Sequence, residues 1–434
     1  MNDDLLQLDA EHVWHPFDLI DIPQALAVDK AYGAELYLKD GRIILDAIAS
    51  WWVNIHGHAH PVIAKAISEQ AQKLEHVIFA GFTHQPAVEL AATLAHILPG
   101  RPEKIFFSDN GSTAVEVAIK IAFQYWHNKN QSKTKIIAFE NAYHGDTFGA
   151  MSVGARSKFN EPFAPFLFDV DFIPTPNTLN INELLQNLES ICNKGDIAAF
   201  IFEPLVQGAA GMLMYEAELL DKILAVCKKY EVILIADEVM TGFGRTGKLF
   251  ACDFLNIKPD ITCLSKGITG GFLPLGVTAC KKFLYDAFVS ENPYKVFFHG
   301  HSYTGNPVAC AAANASLELL LQPKTQKNIQ RISENHAKFL EEIKNVPWIE
   351  NSRMQGTILA ITLKTNEKSG YFNSLNNKLY DFFLSKNILL RPLGNVIYIL
   401  PPYVITNSQL QNIYEALKEF GEKELVDDLE LVLN

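Results

Sequence analysis

The chain has 434 residues, enough for two or three domains. Hydrophobic residues make up 48% and charged residues 20%, the balance of a globular protein with a large core. A formal net charge of -12 argues against a general nucleic-acid binder. No run approaches the roughly 18 consecutive apolar residues of a membrane-spanning helix.

The N-terminus, "MNDDLLQLDAEH", is acidic and lacks the basic start and apolar core of a secretory signal. "GAELYLKDGRIILDA" predicts a hairpin turning at Asp40 and Gly41. In "SWWVNIHGHAH", His56, His58 and His60 alternate; on a strand they would share one face, a plausible start for a zinc site. The same strand would send Trp51 and Trp52 to opposite sides.

From residue 104 onward, apolar runs alternate with helix-like segments. "KIFFSD" precedes "STAVEVAIKIAFQYW", "KIIAFE" and "AAFIFEP" follow, and "LLDKILAVCKKY" precedes "VILIADEV". Short Ile/Val/Phe runs between amphipathic helices predict buried parallel strands in βα units. Beyond about residue 325 the texture changes to an amphipathic helix, the runs "TILAITLK" and "NVIYILPP", and a last helix "TNSQLQNIYEALKEF". We therefore expect a large domain over 49–322 and a smaller α/β domain over 323–434, with residues 1–48 contributing to the smaller one. Six scattered cysteines with no CxxC predict buried free thiols, as in a reducing cytosol.

Residues 232–248, "VILIADEVMTGFGRTGK", satisfy two nucleotide-binding patterns, but neither fits its context. "DEVMT" separates the glycines from the strand, and Leu249 stands where a phosphate loop needs Ser or Thr. Asp237 is the stronger signal. It closes an apolar strand (Val232 to Ala236), where carboxylates face the usual ligand crevice, although an aspartate there can equally cap the next turn. Lys266 follows the run "ITCL" between Ser265 and Gly267, a position suited to Schiff-base chemistry, although a lone lysine is also an ordinary surface charge. In "SDNGSTAVEVAIK", Gly111, Ser112 and Thr113 open a helix, whose free N–H groups bind phosphate; Ser112 or Thr113 could instead be a simple N-cap. In "ENAYHGDTFGA", Tyr143 and His144 precede Gly145, and an aromatic side chain there could stack on a flat ring. Together the four elements describe a pyridoxal phosphate site.

With "LIADEVMTGFGRTGKLFACDFLNIKPDITCLSKGITGG" and "HGHSYTGNPVACAAANASLELL", the sequence resembles the class III aminotransferases over most of its length. That resemblance implies an α/β protein of fold type I, with a mostly parallel central sheet in the large domain and a small α/β domain from the N- and C-terminal segments. "WHPF", "SWWVNIHGHAHP", "YHGDTFGAMSVG" and "RPLGNVIYILPPY" are similar to the branch that converts 8-amino-7-oxononanoate to 7,8-diaminononanoate in biotin biosynthesis.

By the same resemblance Lys266 is the Schiff-base lysine and general base, Asp237 pairs with the pyridine nitrogen, and Gly111 and Ser112 hold the phosphate. Tyr143 covers the ring and faces substrate, with Asp146 orienting its loop. Trp51 forms a wall for the alkyl chain, and Arg391 binds the substrate carboxylate, a task suited to a guanidinium. Gly300 contacts substrate, and His301 and Ser302 complete the phosphate site of a neighbouring subunit. A cytoplasmic homodimer with shared active sites follows, and the histidines of "SWWVNIHGHAH" become structural, since the reaction needs no metal. The sequence departs from the pattern twice. Phe17 stands where users of S-adenosylmethionine usually carry tyrosine, which leaves lysine as an alternative amino donor, and "GHS" replaces "GPT", keeping a hydroxyl at Ser302. The rival readings are an ω-amino acid:pyruvate aminotransferase, sharing the cofactor residues but not the Trp51–Arg391 pair, and a non-catalytic pyridoxal-phosphate-binding protein.

Overall fold

The structure is a computed structural model that describes residues 2–17, 25–367 and 369–424. The expected hairpin is present. Strands β1 (Val28–Tyr32), β2 (Glu35–Leu38) and β3 (Ile43–Asp46) form an antiparallel meander, and Gly41, at φ +94°, makes the turn between the last two. Only glycine adopts such a φ at little cost.

The next strands build the centre: β4 (Lys104–Ser108), β5 (Lys135–Phe139), β6 (Val170–Ile173) and β7 (Ile197–Phe202). A short ribbon of β8 (Val206–Gln207) and β9 (Leu213–Met214) precedes β10 (Ile233–Asp237), β11 (Ile261–Leu264) and β12 (Gly276–Cys280). The seven-stranded sheet runs β4-β12-β11-β10-β7-β5-β6. Its pairings are parallel except those of β12, which is antiparallel to both its neighbours.

Alternation along each strand explains why these segments are apolar throughout. Ile233, Ile235, Ala199 and Ile201 face the helix Gly111–Asn128, while Leu234, Ala236, Phe200 and Phe202 face the helices Ile181–Cys192 and Ala217–Lys229. Both faces are covered, so neither can be polar. Each of the isoleucine, leucine and phenylalanine side chains contributes roughly 1.5–3 kcal/mol through burial.

Beyond the helices Pro307–Leu321 and Pro323–Ile343 lie β13 (Ile349–Gln355), β14 (Ile358–Leu363), β15 (Ile388–Leu389) and β16 (Val396–Ile399). Strands β13, β14 and β16 form an antiparallel sheet, and the helices Leu375–Ser385 and Asn407–Glu424 complete this region. Strand β15 pairs in parallel with β3, Ile388 opposite Leu45, so the N-terminal meander joins the C-terminal region. No helix among the described residues is long and apolar enough to cross a membrane. The six cysteines are free and buried, as their scatter predicted.

Candidate active site

The parallel strands end on a common edge, where open α/β sheets place their ligand crevices. A cavity of about 390 Å³ opens there, lined by residues at or just past the ends of β4, β5, β7, β10 and β11: Asp109 to Ser112, Tyr143 to Gly145, Glu203, Asp237 and Lys266. Asp237, the buried last residue of β10, answers both readings of its position. Its Oδ1 accepts the Val239 N–H at 3.1 Å, while Oδ2 lies 2.7 Å from His144 Nδ1. A carboxylate can only accept, so Nδ1 is the donor.

Lys266 follows β11 at φ +47°, opening a single 3-10 turn, Lys266–Thr269. Its Nζ sits 4.5 Å from the centroid of the Trp52 ring. Burial lowers this amine to about 8, helped by the charge of Arg245 and opposed by Asp237 and Glu203. Glu203, one residue past β7, is buried; Oε1 accepts the Tyr143 N–H at 3.0 Å and Oε2 the Gly208 N–H at 2.9 Å. Burial pushes its carboxyl up to about 7; Asp237 reinforces the shift and His144 opposes it.

Gly111 and Ser112 open the helix Gly111–Asn128, but neither Ser112 nor Thr113 caps it. Asn110 is the cap: its side chain accepts the Thr113 N–H at 3.0 Å, and Thr113 Oγ1 accepts the Asn110 N–H at 3.1 Å. That reciprocal box caps the helix without using Gly111 or Ser112, which stand at its mouth. A Cβ on Gly111 would meet Val239 Cγ1 at 2.8 Å, so the approach there requires glycine. The Tyr143 hydroxyl donates to Asp146 Oδ2 at 2.9 Å, and burial followed by Asp146 raises its pKa.

The segment around the two tryptophans is not a strand. Ala49, Ser50, Trp51 and Trp52 all have positive φ and form one left-handed turn. Trp52 is 5% exposed, and its ring lies against Lys266 and Tyr398, while Trp51 is 39% exposed. The side chains thus part as the strand reading expected, for a different reason. The Arg391 guanidinium stacks 4.5 Å from the Trp51 ring and 5.7 Å from that of Phe17, and those two rings are 5.5 Å apart. Phe17, Trp51 and Arg391 are therefore one cluster; none of them lines the cavity, whereas Trp52, next in the chain to Trp51, does.

Of the three histidines, His56 and His60 do meet, their rings edge to face with centroids 6.2 Å apart. His56 meets the Ser316 hydroxyl at 3.2 Å and is held by burial near 3, His58 joins Asp46 to Asn54 at 2.9 Å each, and His60 precedes the helix Pro61–Lys73. No group of three or more metal-ligating side chains occurs among the described residues. Gly300 and Ser302 are exposed and do not line the cavity; His301 Nδ1 is 3.4 Å from Asp109 Oδ2. Glu203 was missed in the sequence, although it ends the run "AAFIFEP" as Asp237 ends its own.

The donor set fits pyridoxal phosphate: a glycine-lined helix mouth, a buried aspartate, and a lysine with a weakened hold on its proton. Two lining groups, His144 Nε2 and Trp52 Nε1, are also buried without a hydrogen-bond partner. The family model described as aminotransferase class-III matches residues 21–420, and the chain belongs to that pyridoxal-phosphate-dependent family. The adenosylmethionine-8-amino-7-oxononanoate aminotransferase of Synechococcus elongatus is 50% identical, over 94% of this chain and 98% of that protein. The enzyme of the same description from Staphylococcus aureus is 36% identical, over 96% of each. Among solved structures, that from Methanocaldococcus jannaschii superposes with a TM-score of 0.90 at 36% identity, covering 96% of this chain and 99% of that one. An (S)-enantioselective omega-transaminase from Thermomicrobium roseum gives 0.91 at 31% identity, covering 98% and 99%.

Proposed function

We propose that the chain transfers an amino group to the ketone carbon of 8-amino-7-oxononanoate, giving 7,8-diaminononanoate in biotin biosynthesis. The donor is S-adenosyl-L-methionine, with lysine as the alternative left open by Phe17, and the two substrates react in turn. The observation that carries this reading is the Trp51–Arg391 contact at 4.5 Å, which sets an apolar wall beside a carboxylate-binding cation. An ω-amino acid:pyruvate enzyme would share the cofactor residues without needing that pair.

Bound pyridoxal phosphate supplies the electron sink for the carbon that loses or gains a proton. Lys266 Nζ moves that proton. An amine lowered to about 8 is partly neutral near pH 7, so it can both take and return it. Asp237 holds a proton on the ring nitrogen, and its bond to His144 keeps the carboxylate oriented. Gly111 and Ser112 hold the phosphate at the helix mouth. Tyr143 covers the ring, with its hydroxyl set by Asp146. Trp51 and Phe17 line the alkyl chain, and Arg391 takes the far carboxylate.

A homodimer belongs to the same reading: Gly300 reaches the partner's substrate, and His301 and Ser302 its phosphate. The outward position of Gly300 and Ser302 supports this. Six unpaired cysteines support a cytoplasmic location. The β3–β15 pairing supports a large domain over 49–322 and a small one from 1–48 and 323–434. Purified protein mixed with 8-amino-7-oxononanoate and each donor tests the assignment, with diaminononanoate read by mass spectrometry. If neither donor yields it, the assignment fails.

A further inference from the structure

Tyr143 lies at one end of a segment that continues through Asp146 into the short helix Phe148–Ser152. The far end of that segment is fastened from outside the cavity. Glu116, on the helix Gly111–Asn128, places Oε1 where three donors converge: Thr147 Oγ1 at 2.5 Å, Gly149 N at 2.7 Å and Ala150 N at 3.1 Å. Thr147, the N-cap of the short helix, makes no side-chain cap bond of its own. Its orphan N–H groups are met instead by a carboxylate from another helix, which also opposes the positive end of the backbone dipole.

The approach is close. A Cβ on Gly149 would fall 2.1 Å from Glu116 Oε2, and one on Gly145, at φ +126°, would fall 2.0 Å from Ser112 Oγ. Ser112 Oγ also accepts the Asp146 N–H at 3.3 Å. Ser112 and Glu116 are four residues apart, so they lie on one face of their helix. The helix whose mouth offers the phosphate cradle thus also clasps the segment carrying Tyr143 and Asp146, at two points one turn apart. Glu116 does not line the cavity, so it acts through these residues and not on substrate.

We propose that Glu116 is a positioning residue whose Oε1, as an acceptor, holds residues 146–150 against the phosphate-binding helix and so sets Tyr143 and Asp146 for substrate. The functional part rests on the reading above that Tyr143 faces substrate; the clasp itself does not. All three bonds use one oxygen, so E116Q can present an amide oxygen in the same place and E116A cannot.

The test compares wild type, E116Q, E116A and T147V as holoenzymes, by hydrogen–deuterium exchange over residues 143–152, cofactor absorbance and oxononanoate kinetics. E116A should speed exchange at residues 149 and 150 by at least about tenfold and raise the oxononanoate KM by about tenfold. Its cofactor affinity should stay within about twofold and E116Q within about threefold of wild type on each measure. If E116A does not fold, T147V, which removes one donor, should shift exchange and KM the same way by about threefold. Unchanged exchange, unchanged KM, or an E116Q as defective as E116A overturns the proposal. A wild type that never aminates oxononanoate would instead sink the functional assignment, while the exchange comparison would still judge the clasp.

Discussion

Arg391 offers the sharpest test of substrate identity. No carboxylate lies within ion-pair distance of it among the described residues; its guanidinium rests on Trp51 and Phe17, at 4.5 and 5.7 Å. The rings orient the group without neutralising it, so its donors are free for a ligand. A hydrogen bond to a charged partner contributes roughly 1.5–3 kcal/mol net. At about 1.4 kcal/mol per tenfold, R391A should raise the oxononanoate KM roughly 10- to 150-fold. R391K keeps the charge but loses the planar fork and its stacking, and should lose roughly tenfold. The assay is initial rate against oxononanoate at saturating donor, repeated with the carboxyl methyl ester of the substrate. Wild type should discriminate against the ester by about the factor that R391A loses on the acid, and R391A should hardly discriminate at all. An R391A enzyme whose KM stays within about twofold of wild type, or which rejects the ester as strongly as wild type does, would refute the assignment of the carboxylate to Arg391.

Three further outcomes follow from the site. K266A should abolish turnover and the near-visible absorbance of the bound cofactor; retention of both would remove Lys266 from its role. F17Y restores the hydroxyl usual in users of S-adenosylmethionine. It should lower the KM for that donor by roughly 2- to 10-fold, from one hydrogen bond of about 0.5–1.5 kcal/mol, and an unchanged or higher KM would place Phe17 away from the donor. Glu203, raised from 4.5 to about 7 in the fold, keeps a proton that the unfolded chain has lost between those values. Its contribution to stability is therefore full below pH 4.5 and lost as pH rises through 7. In urea unfolding of cofactor-free protein, wild type should lose about 2–3 kcal/mol more than E203Q between pH 5 and 8. Parallel pH profiles would show that Glu203 titrates normally.

The sequence was most informative where chemistry coincides with a strand end. Asp237 and Lys266 stand at the ends of runs buried on both faces, and the alternation of apolar runs with helices located the parallel sheet. Glu203 obeys the same rule, but a lone carboxylate after "FIF" has no partner in sequence, because Tyr143 and Gly208 reach it only through folding. Asn110 was hidden for a similar reason. Ser112 and Thr113 were the caps the sequence suggested, and only backbone geometry assigns the reciprocal bonds between Asn110 and Thr113. The antiparallel course of β12 cannot be read from "GVTAC", which is as apolar as its neighbours. The work of the glycines of "GFGRTGK" was not visible in sequence. They let the chain pack closely: a Cβ on Gly244 would meet Ile329 Cδ1 at 2.6 Å. The buried Arg245 between them donates to Pro401 O and Trp52 O.

That last bond links two segments that look unrelated in sequence. Four successive non-glycine residues, Ala49 to Trp52, adopt positive φ, at a cost of roughly 1–2 kcal/mol each. Local hydrogen bonding alone would not hold such a turn, and the surroundings fix it from both ends. Asp46, fully buried, accepts Ile48 N at 3.1 Å, Ser50 Oγ at 2.9 Å and His58 Nε2 at 2.9 Å; Arg245 holds the Trp52 carbonyl at 3.1 Å. His58 thus orients the carboxylate that pins the turn, which gives one of the alternating histidines a task without a metal. The left-handed turn sends one indole inward over Lys266 and its neighbour outward to Arg391. A strand would also have separated the two rings, but along an edge with no reason to meet both cations. Backbone strain at functional positions persists only where its surroundings over-determine it. Lys266 itself, at φ +47°, is a second such position against the same indole. The tandem tryptophan therefore stands between Lys266, which we propose moves the proton, and Arg391, which we propose binds the carboxylate, with one indole against each.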